Sequence, residues 1–167
     1  HEETLATSSR ATASQAGHYV VVLNLQETDY VCNYIRKGGS KEEFLNAFQG
    51  AHSPEFDPDR DLVSIGVANQ TTMVRRETEE IQGRLRQAMT DRYSAAEIDK
   101  HFRMFDTICG ATQERQDALI HLLDEPLDLM IVVGGYNSSN TTHLAEMSEQ
   151  RVPCYFIKNA SKIVSDK

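Results

Sequence analysis

The sequence has 167 residues, 40% hydrophobic and 25% charged, which is ordinary for a globular protein of one domain or two small ones. Its net charge of −8 argues against a broad nucleic-acid or anionic-membrane surface, since both need clustered Lys and Arg. No apolar run approaches the roughly 18 residues that a membrane span needs. Three scattered cysteines without a CxxC pair indicate a reducing compartment rather than a disulfide framework: Cys32, Cys109 and Cys154.

The first half of the chain alternates short apolar runs with segments of helical period. The clearest helix carries one apolar stripe, formed by Ile81, Leu85, Ala88 and Met89. The predicted elements are a strand at 18–25, a helix at 27–36, a helix opened by a Ser40–Glu43 capping box, a turn at 54–61, a strand at 62–69 and a helix at 74–93.

The second half continues the same alternation. Its predicted elements are a short helix capped by Ser94 and Glu97 that carries Ile98, Phe102 and Phe105, a strand edge at 104–109, a helix at 112–123 with Ala118, Leu119 and Leu122 on its apolar face, a strand at 127–134, a helix at 140–151 and a strand at 153–158. Alternating strands and helices with nearly continuous apolar strands predict an α/β fold of parallel sheets. The region near 100–106 is the expected boundary between two α/β units.

The stretch GGYNSSNTTHL (134–144) follows the apolar run LDLMIVV and has the composition of a ligand loop. Ligands of open α/β sheets bind beyond the carboxyl ends of strands, where helix N-termini offer free N–H groups to anions. Ser138, Asn140 and Thr141 can also be helix caps. One cap needs one such residue, however, whereas six consecutive Asn, Ser and Thr residues occur here. The stretch therefore predicts a phosphate or diphosphate site without charged side chains.

Two other predicted strands end in polar segments, ANQTTM and DTICGATQERQ. Thr71 and Thr72 are explained by spacing alone as caps of the following helix. Cys109 precedes a helix start, which favours its thiolate form and a metal or nucleophile role, although a lone Cys is more often a small buried hydrophobe. In HEET, His1 and Glu3 lie on the same side of the chain if it is extended. His1 would then suit an anion contact and Glu3 a proton donor. The alternative is that both are solvated terminal residues.

Together these motifs resemble the 4-hydroxy-3-methylbut-2-enyl diphosphate reductase family, in its plant and cyanobacterial branch. The resemblance runs through nearly the whole chain, in HEET, YVCNYI, FDPDRDL, GVANQTTM, ETEEI, DTICGATQERQDA and VVGGYNSSNTTHLAE. It implies a three-lobed α/β fold around a 4Fe–4S cluster. Residues 1–104 would be the middle lobe, and residues 105–167 an incomplete C-terminal lobe, with the N-terminal lobe absent.

The resemblance also implies a function and its residues. The family removes the hydroxyl of 4-hydroxy-3-methylbut-2-enyl diphosphate as water, giving isopentenyl and dimethylallyl diphosphate, with ferredoxin as electron donor in the bacterial cytoplasm or plastid stroma. The matching positions are Cys109 as one of three cluster ligands, Ser138, Ser139 and Asn140 at the diphosphate, Thr71 beside the substrate and its proton path, His1 at the substrate and Glu3 as proton source. Cys32 and Cys154 match no ligand and are interpreted as structural.

The sequence also departs from the family pattern, and two alternative functions remain. The family's other two cluster cysteines, two histidines and a last substrate-binding serine have no counterpart here, and LATSSRATASQAGHY is longer than the usual connection after HEET. One thiolate cannot hold a four-iron cluster securely, so the isolated chain is expected to be an inactive fragment. The alternatives are a non-redox α/β module that binds a phosphorylated metabolite through residues 134–142, and a polar loop that binds a partner chain.

Overall fold

A computed structural model describes residues 17–70, 72–105 and 109–164. Among these, one compact unit comprises residues 17–70 and 76–105, and a second comprises residues 72–75 and 109–164. Each unit is a mixed α/β structure with one small two-stranded parallel sheet. The predicted α/β class with parallel strands is therefore confirmed. The expected lobe boundary between residues 104 and 105 stays a prediction about the reductase fold.

Two helices of the first unit begin at side-chain caps, of which the Ser40 cap was predicted and the Asn24 cap was not. The Asn24 side chain accepts from the Glu27 N–H (2.9 Å), and the Ser40 hydroxyl accepts from the Glu43 N–H (3.2 Å). The elements are α1 (Leu25–Lys37), α2 (Lys41–Ala47), α3 (Pro58–Asp61), β1 (Ile65–Val67), α4 (Arg75–Tyr93, of which Arg75 belongs to the second unit), α5 (Ile98–His101) and β2 (Phe102–Met104). Strand β1 pairs in parallel with β2, Ile65 opposite Phe102.

The core of the first unit lies where α1, α2 and α4 present their apolar faces. The predicted α4 stripe is confirmed, since all four of its residues are buried. On the same helix, Arg84 pairs with Glu80 (2.5 Å). The aromatic part of the core packs Phe44 against Tyr34, Phe48 and Phe56. This apolar burial is the main stabilisation of the unit.

The second unit contains one strand–helix–strand crossover preceded by a helix. Its elements are α6 (Gly110–Leu123), β3 (Met130–Val133), α7 (Ser139–Glu149), β4 (Cys154–Ile157) and a 3₁₀ turn (Ala160–Lys162). Strand β3 pairs in parallel with β4, Met130 opposite Cys154. Met130 and Val132 point to the buried side with Ala145 of α7, whereas Ile131 and Val133 are exposed. The period of two along β3 thus leaves one face of the sheet uncovered within the described residues.

One predicted strand is wrong, and a second begins earlier than predicted. Residues 18–25 form no ladder: Val20 makes a single antiparallel bridge to His52, and α1 already begins at Leu25. An apolar run becomes a strand only where a partner offers a continuous edge, and here the run packs on the core instead. The strand predicted at 104–109 begins earlier, at Phe102, because Phe102 pairs with Ile65 of β1; residues 106–108 of that prediction lie outside the described residues.

Three helical details also differ. The predicted turn at 54–61 contains α3, whose first residue is Pro58, a residue that suits a first helical turn. Ser94 has a positive φ of 71°, and Glu97 makes no side-chain capping bond at the start of α5. The helix ends at His101, because Phe102 is already part of β2. In α6, Ala118 and Leu122 are exposed. The inward stripe of α6 is instead Thr112, Gln116, Leu119 and Leu123.

Within the part of the chain that the structure describes, no helix is both long and apolar enough to cross a membrane.

Candidate functional site at the N-termini of α6 and α7

The link between β3 and α7 brings the helix start unusually close to the strand end. Gly134 donates its N–H to the Ile157 carbonyl of β4 (3.0 Å), which extends the sheet by one bond. A Cβ atom on Gly134 would lie 2.6 Å from Cγ2 and 2.8 Å from Oγ1 of Thr141. Only glycine fits here without a shift. The first turn of α7 is therefore held against the carboxyl end of β3.

Ser138 is the N-cap of α7. Its hydroxyl accepts from the Thr141 N–H (3.4 Å) and pairs with the Thr141 hydroxyl (3.0 Å), while its carbonyl accepts from the Thr142 N–H (3.0 Å). The capping interpretation thus holds for Ser138, and the helix begins at Ser139, before the threonines. These caps use the N–H groups of Thr141 and Thr142 and leave those of Ser139 and Asn140 without an intrahelical acceptor.

Asn140 carries the chemical feature that a cap does not explain. Its Oδ1 is buried and has no hydrogen-bond partner. Buried polar atoms in folded proteins nearly always have a hydrogen-bond partner, so an unpartnered one indicates a place for a water, an ion or a ligand. Rotation of the amide by 180° exchanges the oxygen for an NH₂ group, so the same position can donate to an anion. Asn140 is therefore suited to a ligand at the α7 N-terminus.

Cys109 is the N-cap of α6. Its carbonyl accepts from the N–H groups of Thr112 (2.9 Å) and Gln113 (3.0 Å), whereas its side chain makes no capping bond. The thiol is exposed and free. The backbone of Cys109 thus starts the helix and leaves its sulfur available as a ligand.

The two helix N-termini lie at the same end of the second unit. Asp124, the C-cap of α6, accepts from Arg151, just beyond the end of α7 (2.6 Å), which joins the two C-terminal ends. The helices also pack against each other, and both are short, roughly 21 and 16 Å at 1.5 Å per residue. Cys109 and Ser138 consequently share the opposite end.

Two further buried oxygens of this unit lack a partner, Oγ1 of Thr72 and Oε1 of Gln113. Gln113 lies in the first turn of α6, four residues from Cys109. With Oδ1 of Asn140, three such atoms occur in the second unit. The described residues thus contain a set of unsatisfied polar groups, two of them in the first turns of α6 and α7.

The electrostatics of residues 134–142 rest on dipoles, since none of these side chains is charged at neutral pH. Nδ1 of His143 lies 3.0 Å from Oε2 of Glu146, an acidic neighbour on the same helix. A helix N-terminus carries roughly half a positive charge and favours anions without Lys or Arg. The arrangement can hold an anion through neutral hydroxyls, an amide and backbone N–H groups.

The thiols of the other two cysteines have raised pKa values. Burial raises the pKa of the Cys32 thiol to about 11, and it raises the pKa of Cys154, with Glu149 adding to the effect. Both thiols stay neutral near pH 7, and metals bind the thiolate. Residues 17–70, 72–105 and 109–164 contain no group of three or more His, Cys, Asp and Glu side chains that could hold a metal ion.

Sequence reasoning missed Gln116, which is only 2% exposed. Its Nε2 donates to the Met73 carbonyl (3.1 Å), and its Oε1 accepts from the Arg75 N–H (3.3 Å). The available signal was the spacing of Thr112 and Gln116, four residues apart on the face of α6 that also carries Leu119. A polar pair on the inward face of a helix indicates a buried polar contact.

Of the predicted site residues, the structure brings together Ser138, Ser139 and Asn140 in the first turn of α7, and Cys109 at the same end of the unit. His1, Glu3 and Thr71 lie outside the described residues. Their roles stay predictions.

Comparisons with known proteins agree on one family. The family model described as "LytB protein" matches residues 1–167. The 4-hydroxy-3-methylbut-2-enyl diphosphate reductases of Cyanothece sp. and Rippkaea orientalis are 55% and 56% identical over 164 residues, which is 98% of this chain and 39% and 40% of theirs.

A solved structure, the E-1-hydroxy-2-methyl-but-2-enyl-4-diphosphate reductase from Plasmodium falciparum, matches 60% of this chain and 29% of that one, with 26% identity and a TM-score of 0.47. The chain spans about 40% of the length of the curated relatives it matches. The predicted resemblance is confirmed, and the chain belongs to the LytB protein family.

Proposed function

We propose that this chain is part of a reductase that converts 4-hydroxy-3-methylbut-2-enyl diphosphate to isopentenyl and dimethylallyl diphosphate. The observation that carries the proposal is its 55% identity, over 98% of its length, to a relative named for that activity. In this reaction two electrons and two protons enter, the allylic C–O bond breaks, and the hydroxyl leaves as water. The reaction needs a site for the diphosphate, a source of electrons and a source of protons.

The N-terminus of α7 is the proposed diphosphate site. Ser138, Ser139 and Asn140 offer two hydroxyls and an amide beside the free N–H groups of the first turn. The unpartnered, buried Oδ1 of Asn140 supports a ligand at this place. Neutral donors suit a diphosphate in a closed pocket, because they hold it without introducing another charge.

Cys109 is the proposed ligand that this chain gives to a 4Fe–4S cluster. Its thiol is exposed and makes no helix-capping bond, so it can serve as one thiolate ligand. The described residues contain no complete set of cluster ligands. When bound, such a cluster supplies the electrons for the reduction. With one suitable thiolate, the 167-residue chain by itself is proposed to be inactive and to need the remainder of a longer reductase.

The remaining roles rest on the family resemblance. His1 is proposed to contact the substrate, Thr71 to lie beside it on the proton path, and Glu3 to donate protons. A carboxyl group near an anionic substrate tends to stay protonated, which is the form that a donor requires. Ferredoxin is the proposed electron donor, in a bacterial cytoplasm or a plastid stroma.

Serine replacement of two cysteines tests the proposal in a full-length version of the protein. After anaerobic reconstitution, we expect Cys109→Ser to lose both visible absorption, at about 400 nm, and turnover. The matched control Cys154→Ser should keep both. Full cluster content in Cys109→Ser would contradict the ligand assignment.

The same preparations separate the alternative of a non-redox binding module. Under that alternative the full-length protein binds the substrate diphosphate but does not reduce it, and Cys109→Ser leaves its affinity intact. Reconstitution of the isolated 167-residue chain is expected to give no stable cluster. About one cluster per chain would contradict the proposal that it is inactive for lack of ligands.

A further inference from the structure

Gln116 makes an unusual contact for a helical side chain, because it is bonded at both ends of its amide to the backbone of a distant segment. The amide nitrogen donates to the Met73 carbonyl (3.1 Å), and the amide oxygen accepts from the Arg75 N–H (3.3 Å). The two partners lie 43 and 41 residues earlier in the sequence. One buried side chain therefore fixes two backbone groups of the same short segment.

This contact stabilises the start of α4. Arg75 is the first residue of α4, and the first N–H groups of a helix have no intrahelical acceptor. Gln116 thus caps this helix start from a distance. A leucine of similar size would remove both hydrogen bonds of this part-buried contact.

The contact also determines where residues 72–75 lie. Gln116 is seven residues after Cys109, about 10 Å along the helix axis at 1.5 Å per residue. The segment therefore contacts the middle of α6, about 10 Å from the Cys109 end of the helix. Thr72, next to Met73, has a buried Oγ1 without a partner, and Gln113, one turn from Gln116 toward Cys109, has a buried Oε1 without one.

We propose that Gln116 is a positioning residue, which clamps residues 72–75 to α6 and thereby holds the Thr72 hydroxyl at the substrate site. That this place is a substrate site rests on the proposed reductase function, whereas the clamp itself rests on the two hydrogen bonds. Gln116 acts through the backbone of Met73 and Arg75 and does not touch the reacting atoms.

Two variants of Gln116 test the clamp in the full-length protein. Gln116→Leu removes both bonds, and Gln116→Glu keeps an acceptor for the Arg75 N–H but loses the donor to Met73. Ser148→Ala is the matched control, because Ser148 is fully buried and bonds a backbone carbonyl (Leu144, 2.8 Å) in the same unit, away from residues 72–75.

The first measurement is amide hydrogen exchange in a peptide covering residues 72–76. We expect faster exchange in Gln116→Leu, an intermediate rate in Gln116→Glu and the wild-type rate in Ser148→Ala. If Gln116→Leu does not fold, Gln116→Glu still decides the result. Unchanged exchange in a folded Gln116 variant would overturn the clamp.

The second measurement is steady-state kinetics with the substrate diphosphate. Displacement of a substrate-site group by about 1 Å can lower the rate on the order of 10²-fold, so kcat should fall by this order in Gln116→Leu while cluster content stays at the wild-type level. Ser148→Ala should stay within about twofold. Faster exchange with unchanged kcat would overturn the positioning role. An inactive wild-type protein would instead overturn the proposed function and the catalytic part of this inference, while the exchange result still decides the clamp.

Discussion

Arg151 donates to Asp124 across 27 residues of sequence, with 2.6 Å between Nη1 and Oδ1. This ion pair joins the ends of α6 and α7 that lie away from the candidate site. It therefore reports the parallel course of the two helices, and that course brings Cys109 and Ser138 to one end of the unit. The pair itself is exposed, with 53% and 60% of the two side chains accessible.

We expect Arg151→Ala to lower the free energy of unfolding by less than about 1 kcal/mol, because exposed ion pairs are screened and lose side-chain entropy. Packing between α6 and α7, rather than this pair, should hold the helices parallel. Urea unfolding at low and high salt measures the effect. A loss of several kcal/mol would show that the pair is needed for the arrangement.

Ser138 and Ser139 should respond differently to alanine. Ser138→Ala removes the α7 cap and should cost about 1 kcal/mol of stability. Ser139→Ala, at the first helical position, should stay within about 0.5 kcal/mol. Under the proposed function both should weaken diphosphate binding in the full-length protein. Urea titration and calorimetry with inorganic diphosphate separate the two effects, and full affinity in Ser139→Ala would contradict its proposed ligand role.

Gly134 should not tolerate a side chain. In Gly134→Ala the new Cβ lies 2.6 Å from Cγ2 of Thr141, so we expect a loss of about 1–3 kcal/mol from overpacking. The double variant Gly134→Ala with Thr141→Ala should recover most of the lost stability, because it removes the clashing side chain. Gly135→Ala is the matched control, since a Cβ there meets nothing within 4 Å. Equal stability of the two single variants, measured by thermal unfolding, would refute the close approach.

The cysteines should react with iodoacetamide in the order of their exposure. Cys109 is exposed, whereas Cys32 is 1% exposed and has its pKa raised to about 11 by burial. At about pH 7.5 we expect Cys109 to be modified first and Cys32 only after unfolding. Peptide mass spectrometry over time measures this. Modification of Cys32 in the native chain at the Cys109 rate would contradict its burial.

Cys32 should also make stability depend on alkaline pH. Its pKa rises on folding from 9.0 to about 11, first because burial disfavours the thiolate, so the native state keeps a proton that the unfolded state releases. This contribution is fully present below pH 9 and is lost as the pH rises toward 11. Urea titrations across this range should show a steeper decline for wild type than for Cys32→Ala. Identical slopes would exclude the contribution, with Cys109→Ala as the control.

Some of the structure was predictable because it depends on neighbours in sequence. The α4 stripe from Ile81 to Met89 follows from helical period, and the start of α2 follows from Ser40 and Glu43, since both act within one or two turns. The loop after β3 was also predictable, because a strand end, two glycines and a run of Ser, Asn and Thr lie together in the chain.

Other features depend on partners far away in sequence. The apolar run at 18–25 was predicted as a strand, but among the residues that the structure describes Val20 makes a single bridge, to His52, and no ladder forms. The limits of β2 come from its register with β1 rather than from its own residues. Apolar composition predicts burial, whereas pairing alone decides which buried run becomes a ladder.

Composition, short-range period and contiguous motifs were sufficient to predict the family, the α/β class and the candidate residues. Three-dimensional packing was needed to show that Ser138 is a cap while Oδ1 of Asn140 has no partner, and that Gln116 reaches back to Met73 and Arg75. The physical reason is that a buried polar group is defined by what surrounds it, and its surroundings come from segments up to 43 residues apart.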